Sequence, residues 1–226
     1  CALPISVNYG GTNIQYGIML GTEGALATQN ANIKLYSGGG DIRLNGRVTT
    51  VVGGGGNGPT GLVAFQGVNM DAGVEGDLRL LGTAAVSTLY PVGIDLQGWR
   101  GATGAGGTFQ TKNGDIQMVG QASGATSTGV GISALAQSDA LRLVIAATGT
   151  GAVSINGKAI DASPKDLTLS AVDILAASGA IHLVGENTGV IFGSWPSPAT
   201  NYLGSRAGGL VTASTSDVYL TGNKLD

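Results

Sequence analysis

The chain has 226 residues, of which 41 are Gly, about 18% against a usual 7% or so, while only 11% are charged and 5% aromatic. A hydrophobic share of 42% with a net charge of -3 excludes the composition of a disordered chain, and 11 basic against 14 acidic residues exclude a basic nucleic-acid binder. The glycines keep no three-residue period, as collagen would require, and no apolar run approaches the roughly 18 residues of a membrane-spanning helix.

At the N-terminus, CALPISVNYGG lacks the basic start and long apolar stretch of a signal peptide and reads as mature or internal sequence. Cys1 is the only cysteine, so no intrachain disulfide and no Cys/His zinc cluster is expected. It is either a fragment boundary or, less favoured, the lipidated residue of a processed lipoprotein.

From residue 40 onward one phrase recurs: Gly40-Asp-Ile-Arg-Leu-Asn-Gly46, Gly76-Asp-Leu-Arg-Leu-Leu-Gly82, Gly114-Asp-Ile-Gln-Met-Val-Gly120, Gly151-Ala-Val-Ser-Ile-Asn-Gly157 and a decayed Gly179-Ala-Ile-His-Leu-Val-Gly185. The starting glycines lie 36, 38, 37 and then 28 residues apart. Two apolar residues spaced by two share one face of a strand, and the bracketing glycines suit turns at either end. Between the copies stand related phrases at Gly61-Leu-Val-Ala-Phe65, Gly93-Ile-Asp-Leu96, Gly131-Ile-Ser-Ala-Leu135 and Asp166-Leu-Thr-Leu169, with further strand candidates at Ile33/Leu35, Leu141/Leu143, Ile174 and Val218/Leu220. Helices are excluded nearly throughout, because glycine costs about 1 kcal/mol at each helical position.

The predicted fold is all-β: a right-handed parallel β-helix with Gly-rich corner loops. The two phrases per period predict coils of about 18–19 residues, twelve of them making a rod about 58 Å long at about 4.8 Å per coil. A propeller blade would need four strands and a recurrent aromatic, and a sandwich gives no reason for a repeated phrase. The spacers at 52–60, 101–108 and 123–129 read as exposed corners. Residues 186–209, with Phe192, Trp195, Pro196, Pro198 and Tyr202, read as a longer excursion, and 1–226 as one domain.

The G-[DA]-I-x-L-x-G phrase with Gly/Ser/Thr-rich spacers, over about residues 30 to 185, resembles the repeat regions of filamentous-haemagglutinin-like exoproteins, the β-helical adhesins of two-partner secretion. The resemblance implies a secreted or surface-exposed rod of a Gram-negative bacterium, used for adhesion, aggregation or toxin delivery. The secretion domain of that family is not recognisable in this sequence.

The chemistry-bearing residues point to structure. His182, the only histidine, occupies the place of Arg43, Arg79, Gln117 and Ser154 in the other copies and is expected on a polar exterior. Asp41, Asp77 and Asp115 recur at a corner that also accepts Ala152 and Ala180, which predicts local Asx-turn bonding. Gly157-Lys158 is no P-loop, because Ala152 and Ala159 stand where Gly and Ser/Thr are needed, and Gly38-Gly-Gly-Asp41 lacks the nonapeptide period of calcium-binding repeats. Trp99 and Trp195 suit sugar stacking but equally suit loop plugs. The expectation is a non-enzymatic extracellular structural or adhesive protein with no catalytic, cofactor or metal residues. Its expected partners are itself, by end-to-end stacking or chain continuation, and a host or glycan surface. The competing expectation is a carbohydrate-active or tailspike-like β-helix, for which Asp71, Glu75, Asp77 and Arg79 are the best-placed residues.

Overall fold

The computed structural model describes residues 4–9, 16–21, 33–49, 59–65, 67–85, 91–98, 106–124, 129–136, 142–160, 165–192 and 210–222. Nineteen strands in this region fall into three parallel sheets. Sheet A holds β1 (Pro4–Tyr9), β4 (Ile42–Val48), β7 (Leu78–Ala85), β10 (Ile116–Ser123), β13 (Val153–Ile160), β16 (Ile181–Gly185) and β19 (Val218–Gly222). Sheet B holds β2 (Tyr16–Leu20), β5 (Thr60–Ala64), β8 (Val92–Gly98), β11 (Val130–Ala136), β14 (Lys165–Ser170) and β17 (Val190–Phe192). Sheet C holds β3 (Lys34–Tyr36), β6 (Asn69–Asp71), β9 (Thr108–Thr111), β12 (Leu143–Ala147), β15 (Val172–Ala176) and β18 (Leu210–Ala213). Every third strand pairs with the one before it, so the chain winds A, B, C and back to A as a β-solenoid.

This corrects the coil length read from the sequence. The two recurring phrases are successive strands of one coil, on sheets A and B, and the remaining strand candidates form sheet C. A coil is therefore one full repeat: Ile42 pairs with Leu78, Leu78 with Ile116 and Ile116 with Val153. Seven strands of sheet A at about 4.8 Å span about 29 Å, half the length that 18–19-residue coils would give.

The rows are as the phrase predicts. Ile42/Leu44, Leu78/Leu80, Ile116/Met118, Val153/Ile155 and Ile181/Leu183 are all buried and join Leu62, Ile94, Ile132 and Leu167 of sheet B and Met70, Phe109, Ile145 and Ile174 of sheet C in one core. Arg43, Gln117 and His182 are exposed and Arg79 and Ser154 half-buried on the opposite face. Stacking thus turns a two-residue apolar alternation into continuous ladders, each side chain packed against its equivalents one coil up and one coil down.

The glycine closing each phrase does not make a turn. Gly46, Gly82, Gly120, Gly157 and Gly185 lie in register inside or at the end of their strands. A Cβ at Gly46, Gly82 or Gly120 would collide with the backbone of Gly61, Gly93 or Gly131 in sheet B. Sheet B therefore abuts sheet A along a seam where, at these three glycines, the two backbones touch and leave no room for a side chain. Residues of sheet A before the seam line the core; Val48, Ala84, Ala122 and Ala159 beyond it are buried but outside the main cluster.

The break in the period has a local cause. Val153 pairs with Ile181, a coil of only 28 residues, because β14 and β15 are joined by one residue, Ala171, at φ 52°. Strand lengths hold while connections absorb the change, which is why the phrase survives there. Phe192 ends β17, whereas the other aromatic residues of the predicted excursion, Trp195 and Tyr202, lie outside the described residues.

Candidate functional site

The residues with chemical potential gather on the exterior of sheet A and at the corner leading into it from sheet C. That corner is short and regular, and successive coils bond through it: Lys112 N donates to Gly73 O at 2.9 Å and Gly149 N to Lys112 O at 2.7 Å. Asp41, Asp77 and Asp115 sit where the corner enters the strand. Asp41 Oδ1 accepts the N–H of Asp77 at 3.0 Å, Asp77 Oδ1 that of Asp115 at 2.9 Å, and Asp115 Oδ1 that of Ala152 at 2.9 Å. The expected Asx turns are thus replaced by bonds from each coil to the next. The physical reason is the stacking distance, which brings the following coil's N–H as near as any local donor. The second oxygen holds the strand's own arginine, at 2.5 Å for Arg43–Asp41 and 2.7 Å for Arg79–Asp77. The Asp77 N–H first, and then Arg43, hold the Asp41 carboxyl below the usual carboxylate range.

The four residues best placed for an enzymatic reading are brought near one corner but are occupied there. Asp71 Oδ1 caps its own turn by accepting Gly73 N at 2.8 Å, and its Oδ2 accepts Gln110 Nε2 at 2.8 Å from the next coil. Glu75 Oε1 accepts Asn113 Nδ2 at 2.8 Å, again from the next coil. Asp77 and Arg79 belong to the ladder just described. Each of the three acids thus gives at least one oxygen to a donor on the next coil.

His182 lies on the exterior row as expected, stacked on Tyr219 with ring centroids 4.6 Å apart and planes 7° apart. The Tyr219 hydroxyl donates to Asp217 Oδ2 at 3.0 Å, and this bond holds its pKa above the usual phenol range. Trp99, Trp195 and Cys1 lie outside the described residues. Among the described residues no group of three or more His, Cys, Asp or Glu side chains is placed to hold a metal, and no helix is long and apolar enough to cross a membrane.

Two polar arrangements escaped the sequence reading. Asp166 is fully buried where sheet B's other strands place Gly61, Gly93 and Gly131. Its Oδ1 accepts Ala159 N at 2.8 Å, across the seam, and its Oδ2 accepts Asn187 N at 2.6 Å, Gly189 N at 3.0 Å and Thr188 N. Four backbone donors converge on one carboxylate, a nest in the sense used for anion sites, but filled by the protein's own side chain. The visible signal was that Asp166-Leu-Thr-Leu169 begins with Asp where its three counterparts begin with Gly. The second arrangement is a two-pronged pair on sheet C: Arg142 Nε lies 3.0 Å from both oxygens of Asp173 and Nη2 2.6 Å from Oδ1. Arg142 is the main cause holding the Asp173 carboxyl below its usual range. Nothing in the repeat marks that pair.

The polar groups therefore form inter-coil ladders on a parallel β-solenoid, a fold consistent with β-helical families in general. No family model, curated protein or solved structure matches this chain.

Proposed function

We propose that the chain is a non-enzymatic structural or adhesive segment of an extracellular rod, of the kind built by filamentous-haemagglutinin-like proteins at a bacterial cell surface. One observation carries the reading: the strands keep strict register while the spacing between paired rows varies, from 44 residues down to 23. A scaffold that holds its ladders constant and lets its loops differ is suited to spacing and display. The engagement of Asp71, Glu75 and Asp77 with neighbouring coils supports a role without catalysis.

The test pairs two assays on the purified chain. Binding to host-type cell surfaces or immobilised glycans is expected, together with no release of oligosaccharides from acidic or neutral polysaccharides. Product release that disappears in Asp77→Asn would overturn the reading in favour of a carbohydrate-active β-helix.

A further inference from the structure

Four Asn-Gly pairs stand in the sequence, at 45–46, 57–58, 113–114 and 156–157. In such a pair the side-chain amide carbon has the next residue's backbone nitrogen for a neighbour, and glycine puts no Cβ in the way of its approach. Asn57 and Gly58 lie outside the described residues. Asn45-Gly46 and Asn156-Gly157 lie inside β4 and β13, each of which has a paired strand on both sides. Extended backbone keeps the glycine nitrogen turned away from the asparagine side chain there, and the two ladders hold it so.

Asn113-Gly114 is placed differently, in the corner between β9 and β10 and outside both strands. Lys112 N, Asn113 N and Asp115 N all donate to the preceding coil, to Gly73 O, Val74 O and Asp77 Oδ1 at 2.9, 2.7 and 2.9 Å. Among the described residues nothing accepts the Gly114 N–H that stands between them. Gly114 is buried, and a buried N–H without a partner is rare in a folded chain. The half-buried Asn113 side chain donates from Nδ2 to Glu75 Oε1 at 2.8 Å, while its Oδ1 accepts Thr150 N only at 3.4 Å. Water reaches the corner, since Glu75 and Lys112 are exposed. An untied nitrogen, a loosely held side-chain carbonyl and water therefore meet at this pair.

We propose that Asn113 is a site of spontaneous deamidation, a slow covalent modification that loosens this corner of the solenoid. The Gly114 nitrogen gives up its proton and bonds to Cγ of Asn113; the bond from Cγ to Nδ2 breaks, and the amide nitrogen leaves as ammonia. Water then opens the cyclic imide at either carbonyl and leaves aspartate or isoaspartate. Nothing is oxidised or reduced, and water is the co-reactant. The product reverses the bonding of the corner. A carboxylate at 113 has no N–H to give, so the bond to Glu75 is lost and two negative groups face each other where donor and acceptor stood at 2.8 Å. Isoaspartate also lengthens the backbone of a corner whose neighbouring N–H groups bond coil to coil in register. The proposal goes beyond the display role, which holds for the unmodified chain.

Prolonged warm incubation of the purified chain at slightly alkaline pH, with peptide mapping by mass spectrometry and enzymatic labelling of isoaspartate, tests it. Aspartate and isoaspartate are expected to accumulate at 113 at least about tenfold faster than at 45 or 156, which must first leave their ladders. In denaturant the three rates should converge, because the three pairs share the Asn-Gly sequence and differ only in the fold. Equal rates in the folded chain would overturn the proposal, as would an order of rates that denaturant leaves unchanged. Asn113→Asp should lower the melting temperature by about 2–4 °C, the effect of one inter-coil bond in a chain of this size. Asn113→Asp combined with Glu75→Gln exchanges donor and acceptor and should restore it. A double variant that melts no higher than Asn113→Asp alone would overturn the loosening.

Discussion

The seam between sheets A and B and the corner between sheets C and A solve the same problem, holding one coil against its surroundings, by opposite means. At the seam the chain removes side chains. Gly46, Gly82 and Gly120 let the backbone of sheet B approach so closely that a single methyl group would collide with it. At the corner the chain adds side chains, and the carboxylates of Asp41, Asp77 and Asp115 carry bonds from coil to coil. The corner faces water and tolerates loss, as Ala152 and Ala180 show. The seam is buried and tolerates little, and where it departs from glycine, at Asp166, the departure is matched by four backbone donors.

The largest effect is expected at that departure. Were Asp166 only an exception that the seam puts up with, Asp166→Gly would restore the row and cost nothing. The structure predicts instead a loss of about 4 kcal/mol or more, because the N–H groups of Ala159, Asn187, Thr188 and Gly189 would lose a buried acceptor. Denaturant unfolding of the variant decides between the two. Next comes Gly120→Ala, for which the added methyl meets Gly131 and the Ile132 side chain; about 3 kcal/mol of destabilisation is expected in the same measurement. A change below about 1 kcal/mol would mean that the two sheets can separate at no cost, and the seam would lose its role.

The contrast also explains what the sequence disclosed. The apolar rows were legible because Ile42/Leu44 and their counterparts repeat a two-residue alternation at fixed spacing, and stacking preserves that alternation in three dimensions. The coil length was misread because phrases on sheets A and B look alike. Both begin their contact with the seam at a glycine, so Gly61-Leu-Val-Ala-Phe65 resembled another copy of the sheet A strand. The glycines themselves were legible as a pattern but not as a cause, since turn formation and backbone approach leave the same residue. The Asp ladder was legible in position and misassigned in bonding, for the donor it serves lies about 37 residues away and local sequence offers a nearer one. The Arg142–Asp173 pair occurs in one coil and had no repeat to announce it.

At the corner the effects should be smaller. Asp77→Ala removes one acceptor from Asp115 N and the partner of Arg79, both with access to water, so about 1 kcal/mol is expected from chemical denaturation. The same chemistry sets a pH dependence. Asp41, Asp173 and Glu186 are all held below their usual ranges, by Asp77 N–H, Arg142 and Lys158 respectively as the largest causes. A carboxyl depressed in the folded state contributes stability above its unfolded pKa, near 4, and loses it as pH falls through the lower folded value. Melting temperature should therefore be level from neutral pH down to about 5 and fall below about 4. Asp173→Asn should shrink the fall, and a melting temperature that rises on acidification would contradict the assignment.

The smallest effect should come from the exterior row. Arg79 alternates with Leu78 and Leu80, and its guanidinium reaches Asp77 at 2.7 Å with its side chain 42% exposed. Exposed ion pairs of this kind contribute between nothing and about 1 kcal/mol, because water solvates both partners when they part. Arg79→Ser also leaves Asp77 Oδ1 on the N–H of Asp115, so the inter-coil bond survives the loss of the pair. The row itself supplies the precedent: Ser154 stands at the equivalent place two coils on, half-buried in an intact ladder. Arg79→Ser is accordingly expected to change unfolding free energy by less than about 0.5 kcal/mol, whereas Leu80→Asp, one residue away and turned to the core, should cost several kcal/mol through a buried unpaired charge. Equal losses for the two variants would mean that the strand does not separate a wet face from a dry one.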